Sequence, residues 1–134
     1  MNVEEEAVSR LVRRLEALGI PYMIAGSLAS SHHGLPRATN DADIVIDPSP
    51  ARRERRDLGG LRVSMATPED TILSKLEWAR KAGGSERQLT DALGVLQVCG
   101  DGVDRAYVEK WAATLGVEDL WQQLVATARG SGKP

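Results

Sequence analysis

Asp41 and Asp43 stand one residue apart at the head of an apolar run, Ile44-Val-Ile46. In a strand, residues i and i+2 point to the same side, about 6.6–7 Å apart along the chain. Both carboxylates would therefore aim at one point. Two like charges held that close repel each other unless a cation sits between them. Mg²⁺, or Mn²⁺ in its place, is the natural partner, being a hard ion that prefers carboxylate and phosphate oxygens. Upstream, the short apolar run Tyr22-Met-Ile-Ala25 breaks at Gly26-Ser27. A strand giving way to a helix at that point would leave backbone N–H groups free to receive phosphate oxygens. A phosphate seat and a metal seat on adjacent strands describe a site for a metal-bound nucleoside triphosphate.

Several elements must position these residues. Residues 3–18 read as an amphipathic helix with Val8, Leu11, Val12, Leu15 and Leu18 on one face, started by Glu4, Glu5 and Glu6 and stopped by Gly19 and Pro21. Strands are expected at 22–26, 42–47 and 61–66, with a short helix at 27–33 ended by Gly34. The cluster Arg52, Arg53, Arg55, Arg56 reads as a solvated basic turn, although it could touch an acidic or RNA acceptor. Thr67-Pro-Glu-Asp70 is a helix start: a cap, a proline at the first position, then acids along the dipole. From 68 to 128 the chain should be helical, with breaks near 83–85, 99–104 and 116. The order predicts an α+β fold: a small mixed sheet of about three strands, an N-terminal helix and a helical C-terminal half. One domain spans 1–128 (1–66 holding the sheet, 67–128 helical), and 129–134 is expected to be a disordered tail.

At 134 residues the chain is long enough for a single well-formed core. A net charge of −2 gives no general basic field for non-specific nucleic-acid binding. The lone Cys99 excludes an intramolecular disulfide and suits a reducing cytoplasm. No apolar run approaches the length of a membrane span, so no membrane partner is expected.

Gly26-Ser27, then Arg37-x-Thr39-x-Asp41-x-Asp43 followed by Ile-Val-Ile, resembles the signature of the nucleotidyltransferase superfamily, that of DNA polymerase beta. Within it, the chain is most similar to minimal bacterial members and abortive-infection type nucleotidyltransferase toxins. The likeness extends to Ala66-Thr-Pro-Glu-Asp70, Lys75-Leu76 and Arg87-Gln-Leu-Thr-Asp91. It implies metal ions on Asp41 and Asp43, and phosphates seated by Gly26 and Ser27. Arg37, Thr39 and Lys75 would be further contacts, and Asp91 an acid of the later motif with a catalytic part. The implied reaction moves a nucleoside monophosphate to an acceptor hydroxyl and releases pyrophosphate. The acceptor, whether tRNA, protein or small molecule, is not legible. Toxin-type relatives also imply a homodimer or an antitoxin-like partner.

Plainer readings stand beside these. Arg37 could be a solvated loop residue, Lys75 an exposed helical lysine and Asp91 a polar helix-face residue. His32-His33 read as surface histidines, because adjacent residues do not face one another. Trp78, Trp111 and Trp121 read as core or partner-interface residues rather than base-stacking platforms. The superfamily also supplies a third carboxylate, from a strand antiparallel to the Asp-x-Asp strand. The one strand expected after 47, Leu61–Ala66, carries no acid, and only about fourteen residues separate it from the Asp-x-Asp strand. The chain thus reads as internally shortened around 48–60, with Asp47 and Asp57 as candidate substitutes. The alternative function is a weak or inactive remnant serving as an oligomerisation or partner-binding module, whose truncated sheet leaves an edge for another chain.

Overall fold

A computed structural model of the chain describes residues 3–36 and 42–131. Helix α1 (Val3–Leu18) leads into strand β1 (Tyr22–Ala25), helix α2 (Gly26–His33) and strand β2 (Asp43–Ile46). A short 3-10 turn over Pro50–Arg52 then opens a hairpin of β3 (Arg53–Leu58) and β4 (Leu61–Ala66). Four helices follow: α3 (Pro68–Lys81), α4 (Glu86–Cys99), α5 (Arg105–Leu115) and α6 (Glu118–Ser131). The fold is α+β, with the helical half where the capping and break signals place it. No described helix is long and apolar enough to cross a membrane.

The sheet has four strands, not three, in the order β2-β1-β4-β3. The additional strand is β3, which occupies the region read as a shortened basic turn. Its signal lies in Gly59-Gly60: both take positive φ (59° and 86°) and link Leu58 to Leu61 as a two-residue hairpin turn. The run Arg53-Glu-Arg-Arg-Asp-Leu58 conceals a strand because it lies at the sheet edge, where charged side chains suit solvent and discourage edge-to-edge pairing. Three of the four clustered arginines are also engaged. Arg52 makes a two-pronged contact with the buried Asp70 (3.1 and 3.2 Å), and Arg56 pairs with Glu54 at 2.9 Å. Arg55 donates to Glu16 at 2.9 Å.

β1 is one of the two interior strands and is buried along its whole length. It runs antiparallel to β2 and parallel to β4, with Ala25 opposite Asp43 and Ile24 opposite Met65. Arg53 lies opposite Ala66 in the antiparallel hairpin. One end of the sheet therefore gathers the end of β1, the start of β2, the end of β4 and the start of β3.

Val8, Val12 and Leu15 of α1 are buried against the sheet. Leu11 and Leu18, expected on that face, are 47 % and 65 % exposed. The Tyr22 hydroxyl pins the layers, donating to Glu16 (2.7 Å) and accepting from the Ser64 N–H (3.1 Å). Tyr22 and Arg55 together hold the Glu16 carboxyl below its ordinary pKa. A second apolar cluster, including Ile72, Leu76, Val95, Leu96, Val108, Val117 and Trp121, unites α3 to α6. Trp121 is core, whereas Trp78 and Trp111 are 60 % and 38 % exposed. Helix α6 continues through Arg129, Gly130 and Ser131, residues expected to belong to a disordered tail.

His33, expected at the surface, is 4 % exposed, and its Nε2 lies 2.7 Å from the Ala66 carbonyl oxygen. Burial pushes its pKa down, only partly opposed by that hydrogen bond. A depressed folded-state pKa means that the unfolded chain takes up the proton first. The stability His33 contributes is full above the ordinary histidine value of about 6.5 and is lost as pH falls from there towards the folded-state value. Between pH 7.5 and 5.5 the midpoint of urea unfolding should therefore fall. His33→Gln, whose amide can still donate to Ala66, should show a shallower fall.

Candidate functional site

The Gly26-Ser27 turn sits where β1 ends, and each of its residues meets a different group. Gly26 takes φ +64°, a left-handed conformation that glycine adopts without penalty. A Cβ built on it would lie 2.0 Å from Asp43 Oδ2 and 2.9 Å from Asp43 Cγ. The Asp43 carboxylate thus occupies the space that any other side chain at position 26 would fill. The strand register causes this contact, because Ala25, the last residue of β1, pairs with Asp43 and Gly26 follows it directly. Asp43 itself is exposed.

On the other side of the turn, the Ser27 hydroxyl accepts from Lys75 Nζ at 3.1 Å. The same ammonium donates to Asp91 Oδ2 at 2.8 Å, and the two side chains are 4 % and 7 % exposed. Lys75 is thus a buried ion-pair member, not an exposed helical lysine. Ser27, Lys75 and Asp91 come from α2, α3 and α4, and they meet where those three helices converge.

Two glycines explain why α4 comes close enough. A Cβ on Gly34 would lie 2.6 Å from the Val95 backbone N, and one on Gly94 would touch Leu35 at 3.3 Å. The chain leaving α2 therefore packs directly on the backbone of α4. Gly94 lies three residues after Asp91, so this close approach brings the Asp91 turn up against α2. In sequence, Gly34 reads only as a helix stop, and its role against Gly94 depends on a pairing of helices that periodicity cannot reveal.

Helix α2 has no side-chain cap at its N-terminus. Its first N–H groups and the positive end of its dipole lie beside the Asp43 carboxylate, which suits a cation-bound phosphate better than a bare anion.

The other sequence-derived candidates are placed as follows. Arg37, Thr39 and Asp41 lie outside the described residues. Asp47, with φ 55°, ends β2, and its N–H donates to the Pro21 carbonyl at the far end of the sheet. Asp57 lies opposite Arg62, also at the far end. Neither can stand in for a third carboxylate beside Asp43. Glu54 lies near the correct end of the sheet but on β3, three strands from β2 and hence about 14 Å away across the sheet. Among the described residues, no group of three or more His, Cys, Asp or Glu side chains is arranged to hold a metal ion.

No protein-family model and no curated protein matches the chain.

Removing one member of a buried ion pair strands the other without a partner. Lys75→Met should cost about 3–5 kcal/mol in urea unfolding. The double variant Lys75→Met/Asp91→Leu, which removes both charges, should recover much of that loss. A double variant as unstable as the sum of the two single variants would show that the pair is not coupled.

Proposed function

We propose that this protein binds a metal-bound nucleoside triphosphate at the Gly26-Ser27 turn and transfers a nucleoside monophosphate from it to an acceptor hydroxyl. One observation carries the reading: the Asp43 carboxylate is seated against Gly26 while the buried Lys75–Asp91 pair holds Ser27 from behind. Phosphate oxygens are received by the backbone N–H groups at the start of α2 and by the Ser27 hydroxyl. Lys75 adds positive charge directly behind that seat, tempered by Asp91. Asp91 is committed to Lys75, so its part is to position the lysine and the serine rather than to ligate metal. Asp43, with Asp41 from the preceding segment, holds the cation. Mg²⁺ commonly takes one or two carboxylates and completes its shell with substrate phosphates and water, so this donor set fits it. When bound, the ion neutralises developing phosphate charge and aligns the attacking and leaving oxygens.

The described residues offer no third carboxylate beside Asp43, and this favours slow transfer. A third carboxylate would help remove the proton of the acceptor hydroxyl, an effect worth about 10²–10⁴-fold in rate. The same observation supports the second reading, a weak or inactive module that retains nucleotide binding and serves a partner.

Calorimetric titration with a non-hydrolysable triphosphate should show binding that requires Mg²⁺. Asp41→Asn with Asp43→Asn should abolish the metal-dependent part; undiminished binding by this variant would overturn the assignment of the cation to these carboxylates.

Incubation with radiolabelled triphosphates, Mg²⁺ or Mn²⁺, and pooled tRNA and protein acceptors should give slow, Asp43-dependent labelling. Fast labelling would mean that a group outside the described residues completes the site. No labelling alongside metal-dependent binding would favour the module.

A further inference from the structure

We propose that Trp78 is the platform on which the base of the bound nucleotide stacks, an inference that rests on Gly26-Ser27 being the phosphate seat. The argument starts from how α2 lies on α3. Ser27, at the start of α2, meets Lys75, while His33, at its end, meets Ala66 just before α3 begins. The two helices therefore run in opposite directions. The N-terminus of α2 looks along α3 towards the C-terminal end of α3.

Trp78 lies three residues after Lys75, about 4.5 Å further along α3 and about 60° around it. It thus stands about one turn beyond the Lys75–Ser27 contact, on the side towards which the N-terminus of α2 points. Helical side chains lean back towards the N-terminus, which carries the indole over the Lys75 turn rather than away from it. The opposite flank of α3 is taken by α5 and α6, through Glu69 to the Asp104 N–H (2.8 Å) and Arg80 to Asp119.

The exposure of this residue also needs a reason. At 60 % exposed, Trp78 leaves a large aromatic surface in water. Lys81 Nζ lies 5.5 Å from the centre of the ring, a cation over one face. Trp111 differs: it sits on α5, tilted against Tyr107 at 6.3 Å, and Trp121 is buried. Sugar and base must extend from phosphates held at Ser27, and Trp78 is an exposed aromatic residue one turn beyond the lysine that holds that serine. Stacking accepts any base through its π-face, so this contact confers affinity without strong choice among the four nucleotides.

The test compares two probes in the presence of Mg²⁺: a non-hydrolysable nucleoside triphosphate and inorganic tripolyphosphate, which has no base. Each is titrated into the parent, Trp78→Leu and Trp78→Phe. Trp78→Leu should weaken nucleotide binding by about 5- to 150-fold, the range for loss of one base–aromatic stack. Tripolyphosphate binding should be unchanged, and Trp78→Phe should retain most of the nucleotide affinity. Equal losses for both probes, or no loss for either, would overturn the stacking role while leaving the phosphate seat standing. A parent that binds neither probe would overturn both.

Discussion

An ammonium and a carboxylate buried together at the junction of three helices constrain everything around them. Lys75 and Asp91 are each too costly to bury alone, so α3 and α4 cannot separate or slide by a turn without exposing an uncompensated charge. Because Lys75 also holds Ser27, the constraint reaches α2 and, through Gly26, the end of β1. The apolar contacts among Ile72, Leu76, Val95 and Leu96 bring α3 and α4 together without specifying their register. The ion pair is suited to fixing that register. The close approach of Gly34 to the α4 backbone makes the geometry possible, since a side chain there would push α4 away and separate the pair from Ser27.

The sheet presents a complementary arrangement. Interior β1 is wholly buried, so the residue that follows it emerges at the sheet end in a fixed place. The antiparallel pairing of β2 then delivers Asp43 to that place without reliance on a loop. The cost is borne at position 26, where only glycine leaves room for the carboxylate.

Much of this was legible in the residues themselves. Thr67-Pro-Glu-Asp70 announced α3, and its Thr67 hydroxyl accepts from the Asp70 N–H at 3.0 Å. Gly100-Asp-Gly102 and Gly116 marked the later breaks. Ser27, Lys75 and Asp91 could be singled out by family resemblance, but nothing in their spacing says that they touch, because the contact spans α2, α3 and α4. Strand β3 is hidden for a different reason: an edge strand rich in charge, with Arg55 on Glu16 and Arg56 on Glu54, lacks the apolar alternation by which strands are read. His33 is buried because two adjacent histidines on a helix point to different sides, His33 into the interior and His32 to water.

The Gly59-Gly60 hairpin turn, exposed at both residues, lies at the opposite end of the sheet from Asp43 and Gly26. Lengthening the chain there would stretch a loop into solvent and leave every strand pairing in register, since loop length costs little once its ends are held. The molecule thus has a natural point for grafting: an affinity tag, a fluorophore or a whole inserted domain could be carried on that turn. For the same reason, related chains of very different length could share this sheet, with their extra residues emerging from the β3–β4 turn while the end bearing Asp43 stays unaltered.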